Sequence, residues 1–345
     1  MTSITRYKLR KLLKYALVTV LVAWVLHLFS GQLVPDFLGA WFLLGLWTGI
    51  LEEFLFGHRF RSLILPFQLL GKVIAVNMLI IGLLYIGVLL GVQTEVLGGS
   101  APTGHLGQVL WSGQFARLVV QVVVVTSVAI LVVQIEELMG RRMFLGSLLG
   151  WFERPKAVER VVLTMDLAGS TALAERLGDL RYFRLLNRVY ALMTDAVLRN
   201  EADIHKYVGD EVIFTWPMRV GVRDQNCLDL YFDIMARIKE HENELVREFG
   251  TLPRYRAAVH GGRVITAQIG HIKRSIEFSG DVMNSVSRML GLCKELDAGL
   301  LASAELLNRI PQVEERFRTG PLQVVPVKGR RREVNVHRID RLSVA

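Results

Sequence analysis

Two aspartates, Asp166 and Asp210, occupy positions where carboxylates could hold divalent metal ions. Asp166 ends an apolar segment and precedes a loop of small residues that opens a helical pattern, and Asp210 lies in a turn between two apolar segments. Carboxylates at adjacent strand ends can share a pair of metal ions that bridge phosphates. Each residue also has a simpler interpretation, because Asp166 suits a helix cap and Asp210 suits a turn.

The loop after Asp166 is suited to an anion. Backbone N–H groups at a helix start carry partial positive charge, and a glycine lets a phosphate approach the chain closely. The predicted anion-binding residues are Leu167, Ala168, Gly169, Ser170 and Thr171.

A third candidate is the pair Asn284 and Arg288, which are four residues apart in a helical pattern and therefore share a face. An arginine aimed at a phosphorus that gathers charge in the transition state would lower the barrier to its displacement. Taken alone, the pair equally suits a solvated helix face.

The elements that must position these residues alternate between strands and helices. Strands are predicted over 160–165, 203–207, 211–215, 255–260, 263–269, 300–303 and 334–338, and long helices over 170–200, 225–249 and 281–296. Residues 208–210 indicate a hairpin turn. The second half of the chain is therefore predicted to be an α+β sandwich. Its two cysteines, Cys227 and Cys293, exclude a disulfide scaffold and are predicted to be core residues.

The first half of the chain predicts an α-helical membrane bundle of about four spans, over 14–34, 37–51, part of 63–92 and 118–135. Lysines and arginines lie before span one, between spans two and three and after span four, whereas 31–36 and 93–116 contain none. This alternation predicts that both termini are cytoplasmic. One span histidine, His27, raises the possibility of haem, but a haem would need a second histidine facing it.

Two acidic pairs close the second and fourth spans, Glu52–Glu53 and Glu136–Glu137. Carboxylates at a bilayer edge are costly unless they are hydrated or paired. The predicted partners are Arg59, Arg61, Arg141 and Arg142, and the alternative is that the acidic pairs transmit a signal to the soluble half. Lys72 is predicted to reach the interface from a helix end.

The charges are unevenly distributed. Residues 1–151 contain 11 Lys and Arg against 6 Asp and Glu, and residues 152–345 contain 30 against 26. The basic residues are interleaved with acids, so a nucleic-acid partner is not expected, and anionic membrane lipid explains the net +9 more simply. The expected organisation is a four-span domain over 1–139, a linker over 140–156 and a soluble domain over 157–345.

Four motifs together resemble the class III nucleotidyl cyclases. They are Asp166-Leu-Ala-Gly-Ser-Thr, His205-Lys-Tyr-Val-Gly-Asp-Glu, His260-Gly-Gly-Arg and Gly280-Asp-Val-Met-Asn-Ser-Val-Ser-Arg, in that order within residues 160–338. The resemblance implies a ferredoxin-like α+β catalytic domain that works as a homodimer and binds ATP between its subunits.

The resemblance also implies a role for individual residues. Asp166 and Asp210 would hold two Mg²⁺ or Mn²⁺ ions, and Lys206 and Glu277 would read adenine. Adenine presents an acceptor at N1 and a donor at N6, which a lysine and a carboxylate match. Glu277 stands where the family more often has Asp or Thr, and an exposed strand residue is the alternative. The resemblance further implies that Asn284 and Arg288 stabilise the transition state and that Arg263 contacts the β-phosphate. The terminal phosphates would be contacted by Lys328 or Arg330.

These expectations describe a multi-pass adenylyl cyclase of a bacterial inner membrane, with its catalytic domain in the cytoplasm. A guanylyl cyclase is disfavoured by Lys206, and a diguanylate cyclase by the absence of a Gly-Gly-Asp/Glu-Glu-Phe hairpin. The alternative from another class is a non-catalytic membrane receptor with a cyclase-like domain. Retention of Asp166, Asp210, Asn284 and Arg288 argues against that alternative.

Overall fold

The structure is a computed structural model that describes residues 3–30, 38–56, 65–97, 112–152, 154–271, 275–325 and 334–342. It forms two compact units, Met1–Leu148 and Leu149–Ala345. The first unit is helical and the second is built on a mixed sheet.

The first unit contains α1 (Ser3–Ser30), α2 (Leu38–Ile50), α3 (Leu65–Leu97), α4 (Gly113–Met139) and α5 (Arg141–Leu148), with a π-helical turn, Leu51–Phe56, after α2. Within the described residues, three helices are long and apolar enough to cross a membrane, and α3 adds a shorter apolar stretch, Phe67–Leu83. The structure thus has three to four such N-terminal helices. Helix α5 lies where the sequence predicted only a linker.

The first two helices pack closely because small residues face each other at their crossing. A Cβ on Gly45 of α2 would lie 2.1 Å from the Thr19 hydroxyl oxygen of α1. The Thr19 hydroxyl donates to the Trp41 carbonyl across the helix pair at 3.0 Å. Close backbone approach and interhelical hydrogen bonds are how membrane helices associate, since lipid offers no hydrophobic driving force.

The second unit contains a nine-stranded sheet. Its strands are β1 (Lys156–Leu167), β2 (Asp203–Val208), β3 (Glu211–Pro217), β4 (Tyr255–Ile269), β5 (Ser275–Ser279), β6 (Leu300–Ser303), β7 (Phe317–Thr319), β8 (Gln323–Val325) and β9 (Val334–Arg341). The strand order is β2-β3-β1-β4-β6-β9-β7, with β5 on β4 and β8 on β9.

The helices of this unit are α6 (Ser170–Leu177), α7 (Asp179–Arg199), α8 (Met218–Val222), α9 (Asn226–Glu240), α10 (Glu242–Phe249), α11 (Asp281–Glu295) and α12 (Ala304–Leu307). The chain order β1-α7-β2-β3-α9-β4 and the spatial order β2-β3-β1-β4 make a ferredoxin-like core. The predicted α+β ferredoxin-like fold is thereby confirmed.

Successive side chains of the central strand β1 alternate between two hydrophobic cores on opposite faces of the sheet. Val161, Leu163 and Met165 face α7 and α9, whereas Val162 faces α11. All four side chains are fully buried. A strand buried on both faces becomes a nearly continuous apolar run, which is why the sequence identified β1 clearly.

Three predicted element boundaries are wrong. The helix predicted over 170–200 is broken at Gly178, whose φ is +71°. The helix predicted over 225–249 is broken at His241. The two strands predicted around Gly261-Gly262 are one strand, β4, because both glycines pair within the ladder with β1. A Cβ at either position would make a tight contact with a neighbouring side chain.

Candidate active site

Asp166 and Asp210 lie side by side at one end of the sheet. The ladder pairs Met165 of β1 with Val212 of β3, so the next residue of β1, Asp166, lies beside the hairpin turn that carries Asp210. Burial, together with Asp210 and the charge of Glu211, raises the pKa of Asp166 to about 6. Two neighbouring carboxylates resist ionising together, and a bound cation would remove that resistance.

The residues present fit a divalent metal ion. The Asp210 Oδ2 atom is buried without a hydrogen-bond partner in the described part of the chain. An unpaired buried carboxylate oxygen is costly unless it receives a cation or a proton. Among the described residues no cluster of three or more His, Cys, Asp or Glu surrounds one point. Two carboxylates suit Mg²⁺ or Mn²⁺ that share the rest of their coordination with phosphate oxygens and water.

Three tyrosines that the sequence analysis did not identify surround this pair. Burial and the charge of Asp210 raise the pKa of Tyr182 and Tyr190 on α7. Burial and the neighbouring tyrosines and aspartates raise the pKa of Tyr255, a β4 residue that is 2% exposed. Tyr182 and Tyr190 share an amphipathic helix that follows the predicted anion loop, so the sequence could have suggested them as site residues. Tyr255 reaches the site only through the pairing of β1 with β4.

The predicted anion loop follows β1 directly. Gly169 has a φ of +73°, a conformation that favours glycine, and it occupies the N-cap position of α6. The Ala168 N–H donates to the Arg254 carbonyl at 2.8 Å, which fixes the entry into the turn. The first N–H groups of a helix have no intrahelical acceptor, so those at the start of α6, beginning with Ser170 and Thr171, are available to an anion.

The structure brings Lys206 and Glu277 together although they are far apart in the sequence. Lys206 Nζ on β2 donates to Glu277 Oε1 on β5 at 2.9 Å, and the Ser275 hydroxyl donates to the same oxygen at 2.6 Å. Burial opposes ionisation of Glu277, but the Ser275 hydroxyl and the Lys206 ammonium lower its pKa below the ordinary value. A charged donor and a charged acceptor therefore lie next to each other.

Aromatic and cationic contacts hold the β4–β5 ribbon over β2. The Phe278 ring on β5 lies 4.6 Å from the His205 ring, and the Arg160 guanidinium lies 4.9 Å from the Phe278 centroid. Burial lowers the pKa of His205, although Glu277 opposes this with its nearby carboxylate. Because His205 precedes Lys206 and Phe278 follows Glu277, this tilted ring contact joins β2 to β5 beside both residues.

Asn284 and Arg288 lie on α11, away from the carboxylate pair. Val282, at the start of this helix, lies over Gly262 of β4, which pairs with Arg160 of β1. Asp166 is six residues beyond Arg160, or about 20 Å along the strand. Asn284 is exposed and Arg288 is partly exposed.

The remaining predicted residues are dispersed. Arg263 is exposed on β4 opposite Glu159. Lys328 and Arg330 lie outside the described residues. Asp281 is the first residue of α11, and Gly280 occupies the capping position. Both cysteines are buried as predicted.

The described partners of the carboxylates of the first unit are lysines. The predicted partners Arg59 and Arg61 lie outside the described residues, as do the side chains of Arg141 and Arg142. Lys11 lies 2.9 Å from Glu52 and 2.8 Å from Glu137, Lys14 lies 2.5 Å from Glu136, and Lys72 lies 2.6 Å from Glu52. Lys72, which was predicted to reach the interface, has a side chain that is 4% exposed and pairs with Glu52. Lysines on neighbouring helices therefore reach these carboxylates directly.

The chain was compared with protein-family models and with solved structures. No family model matches the chain. A structure of a bacterial light-regulated adenylyl cyclase superimposes with a TM-score of 0.52 and 19% identity, covering 60% of this chain and 59% of that one. The chain therefore shares the fold of this cyclase structure, as the resemblance of the motifs implied.

The sequence is also similar to individual cyclases. Adenylate cyclase 2 of Rhizobium meliloti is 44% identical over 181 residues, which are 52% of this chain and 50% of the relative. An adenylate cyclase of Anabaena cylindrica is 23% identical over 188 residues, which are 52% of this chain and 36% of the relative. The chain therefore matches half or less of the length of these relatives.

Proposed function

We propose that this chain is a membrane-anchored adenylyl cyclase that converts ATP into 3′,5′-cyclic AMP and pyrophosphate. The observation that carries the proposal is its 44% identity over 181 residues with Adenylate cyclase 2 of Rhizobium meliloti. The carboxylate pair at the end of β1 and the lysine–glutamate pair on β2 and β5 support it from the structure.

Asp166 and Asp210 are the proposed ligands of two Mg²⁺ or Mn²⁺ ions. Their support is the raised pKa of Asp166 and the unpartnered oxygen of Asp210. Bound there, such ions would acidify the ribose 3′-hydroxyl and offset negative charge on the phosphates. The chain itself supplies a rigid strand end and a tight turn that keep the two carboxylates adjacent.

The triphosphate is proposed to lie against the start of α6. The backbone N–H groups after Gly169 offer donors to phosphate oxygens, and Ser170 and Thr171 lie at the helix end that favours negative charge. Arg263 is the proposed contact of the β-phosphate, and Lys328 or Arg330 that of the terminal phosphates. Each of these cations would stabilise a leaving pyrophosphate.

Adenine is proposed to be read by Lys206 and Glu277. Lys206 would donate to N1 and Glu277 would accept from N6, so that the base exchanges the ion pair for two charge-assisted hydrogen bonds. The 2.9 Å contact between the two side chains supports this because it shows donor and acceptor at the same place. Guanine would present the opposite pattern.

The reaction is proposed to occur between two copies of the chain. Asn284 lies in the first turn of α11, which begins about 20 Å along the sheet from Asp166, so we infer that the second copy supplies Asn284 and Arg288. In the reaction the ribose 3′-oxygen bonds to the α-phosphorus and loses its proton. The bond from that phosphorus to the bridging oxygen breaks, and pyrophosphate leaves with the electron pair. Arg288 would stabilise the charge that gathers at phosphorus.

The first unit is the proposed membrane anchor. Its apolar helices and the alternation of basic and uncharged loops support a multi-pass protein of a bacterial inner membrane with cytoplasmic termini. Anionic lipid is the proposed partner of its basic N-terminal segment.

The test is turnover by the purified full-length protein in detergent, with ATP or GTP and with Mg²⁺ or Mn²⁺. We expect cyclic AMP and pyrophosphate in equal amounts from ATP, and loss of at least about 100-fold in Asp210→Asn. The matched control is Asp195→Asn, an acidic residue of α7 that pairs with Arg199. Cyclic GMP from GTP alone would indicate a guanylyl cyclase, and no product from either nucleotide would favour the non-catalytic receptor.

A further inference from the structure

A side chain of α7 donates a hydrogen bond to the turn that carries Asp210. The Tyr190 hydroxyl donates to the Gly209 carbonyl at 2.8 Å. Gly209 immediately precedes Asp210 and has a φ of +65°, so its peptide turns sharply at this point. The ring of Tyr190 also packs against Tyr207 of β2, with centroids 4.6 Å apart. Tyr190 therefore contacts both the turn and the strand leading into it.

The turn needs such a restraint for two reasons. It joins β3 to β2, which is the edge strand of the sheet and has a neighbour on one side only among the described strands. It also holds Asp210 beside Asp166, where two carboxylates repel each other once both are ionised. A turn at a sheet edge would relieve this repulsion by moving away, unless something on its other side held it in place.

We propose that Tyr190 is a positioning residue that keeps Asp210 facing Asp166 by holding the Gly209 peptide. Tyr190 acts through the backbone of the turn and does not itself hold the metal ion or the nucleotide. The inference rests on the proposed function, because it takes Asp166 and Asp210 as the metal-binding pair. It adds a residue outside the four motifs that resemble the cyclases.

The test is Tyr190→Phe in the full-length protein, which removes the hydroxyl and keeps the ring against Tyr207. Mn²⁺ affinity is measured by electron paramagnetic resonance without nucleotide, and cyclic AMP formation is measured over a range of Mn²⁺ concentrations. We expect the dissociation constant for Mn²⁺ to rise about fivefold, as for the loss of one hydrogen bond, while kcat at saturating Mn²⁺ stays within about twofold. The matched control is Tyr207→Phe, which removes the hydroxyl of the stacked ring and leaves the bond to Gly209 intact.

Unchanged Mn²⁺ affinity in Tyr190→Phe would overturn the inference. So would an equal loss of affinity in Tyr207→Phe, or a lower kcat at saturating Mn²⁺ with unchanged affinity, since these point to a general structural effect. Failure of the proposed function is distinguishable: wild type would then form no cyclic AMP, while Asp210→Asn and Tyr190→Phe would still weaken Mn²⁺ binding.

Discussion

Glu277 shows how much a single side chain depends on its neighbours. In the sequence it is one glutamate in a short strand, at a position where the cyclase family more often has Asp or Thr. In the structure its carboxylate receives the Lys206 ammonium and the Ser275 hydroxyl on one oxygen. Its second oxygen lies 3.7 Å from His205 Nε2. These donors hold the longer side chain of glutamate so that its carboxylate points toward Lys206.

At this scale we predict the effect of Glu277→Ala. Loss of the acceptor for adenine N6 should lower kcat/KM for ATP by about tenfold to 100-fold, the equivalent of about 1–3 kcal/mol, and change kcat/KM for GTP much less. The measurement is the ratio of the two kcat/KM values. The matched control is Glu244→Ala, an exposed glutamate on α10 paired with Arg188, which should leave both values unchanged. An unchanged ratio in Glu277→Ala would mean that Glu277 does not read the base.

At the scale of elements, the helices of the first unit are joined by buried charges. Glu52 lies in the π-helical turn after α2, is 1% exposed, and contacts Lys11 of α1 and Lys72 of α3. Lys72 also donates to the Gln134 side chain of α4 at 3.2 Å. Side chains of α1, the π-helical turn, α3 and α4 therefore meet at Glu52 and Lys72, which restricts the rotation of these elements about their own axes.

We predict that replacing only one partner of the Lys72–Glu52 pair destabilises the first unit more than replacing both partners. Lys72→Met and Glu52→Gln should each cost about 3–5 kcal/mol, because each leaves a buried charged group with fewer partners. The double variant should lose less than the sum of the two. The measurement is thermal unfolding of the full-length protein in detergent. Lys8→Met, which removes a partly exposed partner of Glu53, is the control and should cost no more than about 1 kcal/mol. Strict additivity in the double variant would show that the pair is not coupled.

Boundaries of elements were the least predictable feature at this scale. The apolar periodicity of α7 continues through the preceding segment, so nothing in the pattern marks the break at Gly178 except the glycine itself. Gly261 and Gly262 look like a strand break, yet both belong to β4. Neighbouring elements crowd them: a Cβ at Gly261 would meet Leu306 at 2.8 Å, and one at Gly262 would meet Val282 at 3.0 Å. A glycine that permits close packing cannot be distinguished locally from one that ends a strand.

At the scale of the whole molecule, the chain carries two sets of candidate residues on different elements. Asp166 and Asp210 lie at one end of β1 and β3, whereas Asn284 and Arg288 are on α11, which begins over the other end of β1. If two copies combine to form each site, every copy contributes one set to each of two sites. A symmetric dimer would then have two complete sites.

We therefore predict complementation between inactive variants. Asp166→Ala and Arg288→Ala should each lose at least about 100-fold in cyclic AMP formation, because each removes a charged group from both sites. Heterodimers of the two variants keep one intact site and should recover up to about half of the wild-type activity per dimer. The measurement is cyclic AMP formation after co-expression with two affinity tags and sequential purification. Asp166→Ala combined with Asp210→Ala is the control and should recover nothing, since both changes fall in the same set. Heterodimers of the first combination that stay inactive would contradict the shared site.

The residues alone predicted the α+β class of the second half, the helical first half and Asp166 and Asp210 as candidates, whereas the ferredoxin-like core was implied by the resemblance of the motifs. These follow from local pattern: alternating and continuous apolar runs, a glycine-containing turn and short motifs in a fixed order. Only the tertiary structure decided that Lys206 meets Glu277, that Tyr190 holds the Asp210 turn and that Lys11 and Lys72 pair with Glu52. Each of these contacts joins elements that are distant in the chain. The physical reason is that such contacts depend on strand register and helix rotation, which are set by how whole elements pack and leave no trace in the spacing of neighbouring residues.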